Sequence, residues 1–576
     1  MAKTALHLYL EKEFGFEFDN PKELKQKLKE LWEKDPQKFG DVVTKLKELG
    51  DRISTEAGFT ISLDDLEPVH ELKPKTDDIN KALKLQSEIP NKLVDMLHEK
   101  GNAFAKMIKS KARGKPAQLM QMVVSPILFA DAKNKPFPFV IKNSFAEGLR
   151  PEEYFASSVG ARKGIIATQL ATSEPGALSK ELIANVAHLV VTEKDCGTTR
   201  GMKYPIDSEH ILDRYLAHNH GKFPRNTLVT PRVRDEMKKT GIKEVEVRTP
   251  LTCMAKDGVC AYCLGPVGDR KLPEVGFNIG VVAGQTVTEP LTQFVLSFKH
   301  TGGLASALRT TGFDLVKQLL HMPKNFSNKA TLATVSGKVE KVEKAPLGGW
   351  FVYINGKEHY VQSDSEPTVK PGDKVSKGDP ISKGFINPKE LLELKGIKET
   401  REYLAQALHS VYKSQGTDIH PKIFESLARA LVKYVEVEDP GTTGLTKGEI
   451  VDFDGLRRHI EDKVKIVPKE KAVGKILARE YGDLPPGTEI KKEHLKLLPK
   501  KVEVTEHKFK VKPYLPPLQK AHLFNSDWLV GVSRSELLKV LTEGAWYGKT
   551  SKLRWYHPLP GYVYGEGFGE GEDGRY

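Results

Sequence analysis

Four cysteines, Cys196, Cys253, Cys260 and Cys263, are the residues whose type and spacing are best suited to chemistry. The last two form GVCAYC, a C-x2-C knuckle that lets two thiolates reach one ion. Six residues separate Cys253 from that pair, and 56 separate it from Cys196. Four soft thiolates around one centre form the tetrahedral set that structural Zn²⁺ favours, with no open position for catalysis. A redox C-x2-C and four unrelated buried thiols are the rival readings. Use of every cysteine in the chain, three of them within eleven residues, favours the metal. The ion would tie the end of a long helical stretch to a distant hairpin, so part of its binding energy becomes folding energy.

A second candidate is EPLTQFVLSFKH, residues 289–300. Folded as a helix, it brings Gln293, Leu296 and His300 onto one face at i, i+3 and i+7. Gly302 and Gly303 follow as a flexible end, suited to a segment that closes over a ligand and reopens. By pattern alone His300 is a surface or capping histidine. Arg113, in KARGK, is by the same standard a surface charge beside Lys109, Lys111 and Lys115. Asp452 and Asp454 form a D-x-D that could face an ion, but two acids before a basic helix read better as a turn and helix cap.

The elements that position these residues are numerous. The chain has 576 residues, enough for about three or four domains. Lys and Arg total 89 against 76 Asp and Glu, a formal charge of +13 that permits a polyanionic partner but is spread too widely to prove one. A 39% hydrophobic and 29% charged composition is that of a soluble globular protein. No apolar run approaches the ~18 residues of a membrane span, and the first residues lack a signal-peptide layout. A cytoplasmic location without membrane contact is expected. Four cysteines in so long a chain exclude a disulfide scaffold.

The periodicities predict an α+β, multi-module chain. Helices and turns fill 1–75 and 76–145, with Pro21 to Leu49 rich in lysine and glutamate. Residues 146–192 form a long helical stretch interrupted at Pro175–Gly176, where the proline should bend it. About 35 helical residues would span roughly 50 Å. Small residues such as Ala156, Gly160, Ala161, Gly164 and Ala167 would let another molecule approach its backbone. Leu178, Leu182, Val186 and Leu189 form a buried stripe. Residues 193–270 carry the cysteines among short strands such as Glu244–Val247, and 271–325 the closing segment. Residues 326–387 alternate apolar and polar with Gly and Asp at turns, a small antiparallel β module. Helical period returns from Pro388 to Lys433, with Leu404, Ala407, Leu408 and Val411 on one stripe, and 388–560 as a whole is expected to be a helical C-terminal region. Residues 491–520 carry nine lysines against three glutamates, and 561–576 read as a flexible tail.

From Asp195–Cys196–Gly197–Thr198 to GVCAYCLG, the pattern resembles the second zinc site of beta-prime, the largest catalytic subunit of bacterial-type multisubunit DNA-directed RNA polymerases. Upstream, EYFASSVGARKGIIATQLAT is similar to the family's bridge helix, KARGKPAQLMQ to the loop supporting it, and LGDRISTEAGFTISLDDLEP to the approach to the secondary-channel rim. Downstream, NIGVVAGQTVTEPLTQFVLSFKHTGG is similar to the trigger loop. VYKSQGTDIHPKIFESLARAL and SDWLVGVSRSELLKVLTEGAWYGK are similar to the C-terminal helices. The likeness runs from about residue 40 to residue 550. The family's metal-chelating NADFDGD has no counterpart upstream of Lys111, and VDFDG at Val451–Gly455 lacks its Asn and third Asp. The chain therefore resembles the C-terminal portion of a beta-prime split between two genes, as in cyanobacteria, plastids and large bacteriophages. A short rim segment and a weak match over 500–576 favour a bacteriophage.

That resemblance implies template-directed RNA synthesis by an assembly in which this chain is inactive alone. Leu296 would pack on the incoming base, Gln293 would lie near the ribose, and His300 and Arg113 would reach the triphosphate. Thr172 and Ser173 would lie under the template base, and Arg162 and Lys163 would meet phosphates or acids of a neighbouring chain. Ser297 stands where the family commonly has arginine, and Met120 replaces a usual basic residue. Zn²⁺ would be held here as a structural ion, and Mg²⁺ mainly by the partner. The implied partners are the N-terminal beta-prime chain, a beta subunit or its fragments, a promoter-specificity factor, template DNA, nascent RNA and nucleoside triphosphates. The competing reading is a zinc-stapled nucleic-acid-binding protein without polymerase activity.

Overall fold

The computed structural model describes residues 12, 15, 21–110, 112–129, 131, 136–268, 271–299, 312–323, 326, 328–346, 348–362, 365–482, 484–530 and 537–550. Two compact units emerge, one of residues 1–161 with 301–308 and the other of 162–300 with 309–576. Each mixes its elements differently, and the chain is α+β as expected.

The first unit is helical. α1 (Pro21–Lys34) and α2 (Pro36–Ala57) are separated by Asp35, whose carboxylate caps α2 by accepting from the Lys38 amide at 3.1 Å. α3 (Ile79–Glu99), α4 (Ala103–Lys109) and α5 (Pro116–Val123) follow, with α3 capped by Asp78 and α4 by Asn102. Ile89, Leu93 and Leu97 recur at i, i+4 and i+8 on α3 and pack on Leu119, Met120 and Val123. Met120 thus serves the core of this unit, which accounts for an apolar residue there.

α6 (Pro151–Ala171) and α7 (Ser173–Val186) form the interrupted helical stretch expected across 146–192. The interruption falls at Thr172, not at Pro175–Gly176. A proline inside a helix clashes with the carbonyl four residues before it and cannot bond to it. For Pro175 that carbonyl is Ala171, so α6 stops there, and Pro175 occupies the first turn of α7, where a missing donor costs little. The expected stripe holds: Leu178, Leu182, Val186 and Leu189 are all buried.

Beyond α7 the chain leaves for the cysteine-bearing module and returns as α10 (Ile279–Lys299), after α8 (Pro231–Lys239) and the short α9 (Ala261–Leu264). That module contains β1 (Val191–Glu193), β2 (Met202–Pro205), β3 (Glu244–Val247) and β4 (Val259–Cys260). β2 pairs with β3 antiparallel, and β1 with β4 in parallel. Both ends of the excursion are pinned together. The Val191 amide donates to Phe277 O at 2.9 Å, Gly276 to Val191 O at 2.8 Å and Gly280 to Leu189 O at 2.9 Å. α10 then lies on α7 by close backbone approach: a Cβ at Gly280 would sit 1.9 Å from Val186 O, and one at Gly284 would be 3.0 Å from Ile183 Cγ1.

After α11 (Gly312–His321) comes the expected antiparallel module, ordered β7-β6-β5-β8 from β5 (Gly337–Lys344), β6 (Trp350–Ile354), β7 (Lys357–Val361) and β8 (Lys374–Val375). Then come α12 (Pro388–Lys395), α13 (Ile397–Ser414) and α14 (Pro421–Leu431); α14 packs on α10 and α13, and α13 on α12, with Leu404, Ala407, Leu408 and Val411 buried as predicted. The helical expectation for 388–560 ends there. β9 (Tyr434–Asp439), β10 (Ile450–Asp452), β11 (Val464–Pro468), β12 (Ile476–Leu477), β13 (Lys501–Thr505) and β14 (Lys510–Tyr514) form two three-stranded antiparallel sheets. KVEVT buries Val502 and Val504, a period of two that their charged neighbours conceal in the sequence. α15 (Phe453–Ile460), α16 (Leu518–Ala521) and α17 (Leu537–Trp546) complete the helices of the described residues. No helix among the described residues is long and apolar enough to cross a membrane.

Candidate metal centre

The four cysteine sulfurs converge within the second unit, all within 4.8 Å of one another. Cys196 follows β1, where Gly197, at φ 74°, turns the chain and its amide donates to Asp195 Oδ1 at 2.9 Å. Cys253 follows a single 3-10 turn, Pro250–Thr252, whose start is capped by the Thr249 hydroxyl. Cys260 ends β4 and caps α9, its sulfur accepting from the Cys263 amide at 3.3 Å. β4 can reach β1 because residue 258 is glycine: a Cβ there would lie 2.4 Å from Val190 O.

Tetrahedral coordination at about 2.3 Å per Zn–S bond requires sulfurs about 3.8 Å apart. Cys196 lies 3.8 Å from both Cys253 and Cys263. Separation, softness and number of donors therefore fit Zn²⁺, and the four residues leave no position for a reacting ligand. Backbone amides point inward as well, from Met254 to Cys196 Sγ at 3.4 Å and from Ala255 and Cys260 to Cys253 Sγ at 3.4 and 3.2 Å. Hydrogen bonds from the other three thiols draw the Cys196 thiol far below its ordinary range, while burial pushes the Cys253 and Cys263 thiols up. Burial alone would raise the Asp195 carboxyl, but the Gly197 amide and the Arg248 guanidinium hold it below its ordinary range.

α14 braces this centre from one face. Lys422 donates to Pro266 O, Glu425 pairs with Arg214, and Arg429 donates to Pro250 O and Cys253 O, each at 3.0 Å. The positions 422, 425 and 429 follow i, i+3, i+7, a legible signal in PKIFESLARAL that the sequence reading passed over. Arg248, whose guanidinium faces the sulfurs, was missed too, because no spacing distinguishes it.

The remaining predicted residues are placed as follows. Arg113 is exposed between α4 and α5. Arg162 is exposed on α6; Lys163 lies on the same helix, its side chain outside the described residues. Thr172 forms the junction between α6 and α7, its hydroxyl donating to Gln169 O at 3.2 Å, and Ser173 opens α7 exposed. On α10, Ile279, Ala283, Val287, Leu291 and Phe294 face the core, whereas Gln293 is exposed. Leu296 lies on α10 with its side chain outside the described residues, and His300 is outside them altogether. The Asp452–Asp454 pair is a cap: Asp452 accepts from the Gly455 amide at 2.8 Å and pairs with Lys433 at 3.1 Å, both side chains buried.

A segment of this architecture, residues 148–348, matches the family model described as RNA polymerase Rpb1, domain 5. It contains α6, α7, the four cysteines and α10. The chain is also similar to the DNA-directed RNA polymerase subunit beta' of Symbiobacterium thermophilum, at 29% identity over 90% of this chain and 44% of that protein. The beta' subunit of Acetivibrio thermocellus is 30% identical over 75% of this chain and 41% of its own length. That of Caldicellulosiruptor saccharolyticus is 32% identical over 72% and 39%. The chain thus spans about two fifths of the length of the relatives it matches.

Proposed function

We propose that this chain is the C-terminal portion of a beta-prime subunit and supplies the bridge helix and trigger loop of a DNA-directed RNA polymerase. The observation that carries the reading is the 148–348 match, within which α6–α7, four sulfurs spaced for one metal, and α10 follow in order. In this reading α6 and α7 are the bridge helix, with Thr172 and Ser173 beneath the template base and Arg162 and Lys163 on phosphates or acids of a neighbouring chain. α10 leads into the trigger loop. Gln293 contacts the ribose, Leu296 packs on the base, and His300 and Arg113 meet the triphosphate.

The reaction is attack of a 3′-hydroxyl on an α-phosphate with departure of pyrophosphate, so catalysis is mainly positioning and stabilisation of developing charge. His300 supplies a cation or a proton at the leaving group. Mg²⁺ is held by aspartates outside these 576 residues, and Zn²⁺ by Cys196, Cys253, Cys260 and Cys263 as a structural ion. The partners are a chain bearing NADFDGD, a beta subunit or its fragments, a promoter-specificity factor, DNA, RNA and nucleoside triphosphates. A neighbouring reading frame encoding that motif in a phage genome would support the split arrangement.

The test is reconstitution with those chains followed by single-nucleotide addition on a primed scaffold. His300→Ala and Gln293→Ala should each slow addition at least tenfold without preventing assembly. Addition at the unaltered rate removes their assigned roles. An assembly that binds nucleic acid but never extends RNA favours the non-enzymatic reading.

A further inference from the structure

Arg248 is fully buried and turns its guanidinium to the four sulfurs. Its Nη2 lies 3.5 Å from Cys196 Sγ, 3.3 Å from Cys260 Sγ and 3.3 Å from Cys263 Sγ, and its Nε lies 3.4 Å from Cys263 Sγ. The other end of the fork is held in place: Nη1 donates to Asp195 Oδ1 at 2.8 Å and to Asn226 Oδ1 at 2.7 Å. Asp195 in turn accepts from Arg225 Nη2 at 2.8 Å and from Asn226 Nδ2 at 3.0 Å. The guanidinium carbon of Arg248 lies over the Tyr262 ring, 5.5 Å from its centroid.

We infer that Arg248 is a positioning residue for the metal centre: aimed by Asp195 and Asn226, it hydrogen-bonds three of the four sulfurs and governs how slowly they release their ion. The inference rests on the zinc reading and adds to it. Four thiolates around a divalent ion carry a net charge of −2, and burying that charge is costly unless a counter-charge is buried with it. Arg248 brings one positive charge to the sulfurs. Asp195 would be repelled by them and is neutralised on its far side by Arg225, leaving a sequence of alternating charges that fixes the fork. Its hydrogen bonds are also unevenly shared. Cys196, Cys253 and Cys260 each accept from a backbone amide, whereas Cys263, among the described residues, accepts N–H bonds only from Arg248. Cys263 is therefore the ligand most dependent on it. Lysine cannot replace this arrangement, since one ammonium nitrogen cannot serve Asp195, Asn226 and three sulfurs from a planar fork.

The test uses the full chain, first assayed for bound metal. One zinc per chain, lost in Cys260→Ser, establishes the reading on which the inference rests; its failure would be seen there, before any Arg248 variant is compared. Zinc release to an excess of a chromogenic chelator is then timed for wild type, Arg248→Met and Arg248→Lys at one pH. Loss of an outer partner of this kind changes metal affinity about 10- to 100-fold. R248M should release zinc faster by about that factor, with R248K between it and wild type. In the Co²⁺-loaded proteins, thiolates deprived of N–H donors are more electron-rich, so the sulfur-to-cobalt charge-transfer band of R248M should move to longer wavelength. A purely structural role would lower the melting temperature while leaving band position and release rate unmoved, and that result overturns the inference. Should R248M not fold, R248K and Asp195→Asn decide: faster release in both supports the role, and wild-type rates in both refute it.

Discussion

Glu425→Gln offers a sharp test of how the metal-bearing module is held to α14. Arg214 and Glu425 form a two-pronged pair with both N–O distances at 2.7 Å and side-chain exposures of 1% and 4%. The Thr249 hydroxyl adds a third hydrogen bond at 2.5 Å. Glutamine keeps the shape but leaves a buried guanidinium without its counter-charge, a change that costs about 3–5 kcal/mol. At roughly 2 °C per kcal/mol for a unit of this size, melting should fall by roughly 6–10 °C. Replacing both partners, Arg214→Met with Glu425→Leu, removes the stranded charge and should recover most of the loss. The pH dependence has a definite sign. Burial alone would raise the Glu425 carboxyl, but the charge and hydrogen bonds of Arg214, with Thr249, outweigh it and hold the group below its ordinary 4.5. A depressed folded-state value contributes stability that is complete above 4.5 and is lost as pH falls through the folded value. Wild type should therefore lose its advantage over E425Q on acidification below about pH 4.5. Thermal unfolding followed by circular dichroism from pH 3 to 8 measures both effects. An E425Q protein melting within about 1 °C of wild type at neutral pH would refute the reasoning.

Two further outcomes follow from the same unit. Gly280→Ala gains about 0.5–1 kcal/mol of helix propensity but places a Cβ 1.9 Å from Val186 O, so α10 must move off α7. A net loss of about 1–3 kcal/mol is expected in urea denaturation; Gly176→Ala, with nothing within 4 Å of its Cβ, is the control and should show no loss. Stripping the metal with a strong chelator should lower the melting temperature and leave the Cys260→Ser protein unaffected; equal responses in the two would show that the sulfurs hold no stabilising ion.

The legible part of the site was the part written in rare residues. Four cysteines could be assigned to one centre because no others compete, and the structure gathers their sulfurs. Arg248 was not legible, since 89 basic residues share its type and its partners lie at sequence separations of 12 to 53. The stripes on α7 and α13 were clear because leucine, valine and alanine recur there at helical period. The strands after Leu431 were not, because their outward positions are crowded with lysine and glutamate, and charge density was read in place of alternation. The position of the break near Pro175 required tracing the carbonyl it blocks, four residues upstream, rather than noting the proline itself.

Placement of the four sulfurs bears on how the excursion between α7 and α10 is held together. The module leaves at Leu189–Val191 and returns at Gly276–Gly280, and backbone hydrogen bonds pin those two points together. Cys196 stands five residues beyond the first pin and Cys263 thirteen before the second, so an ion held by the four sulfurs would close the base of the excursion rather than its tip. Residues between Cys196 and Cys253 form a loop whose closure in the unfolded chain is worth about 4 kcal/mol if a metal cross-link acts as a disulfide does. In the folded chain the cross-link would lie beside the β1–β4 pairing and the hydrogen bonds that join the two ends of the excursion. α14 adds its bond from Arg429 to Cys253 O. Loss of any one sulfur would therefore act at the base of the excursion, beside the hydrogen bonds that join its two ends.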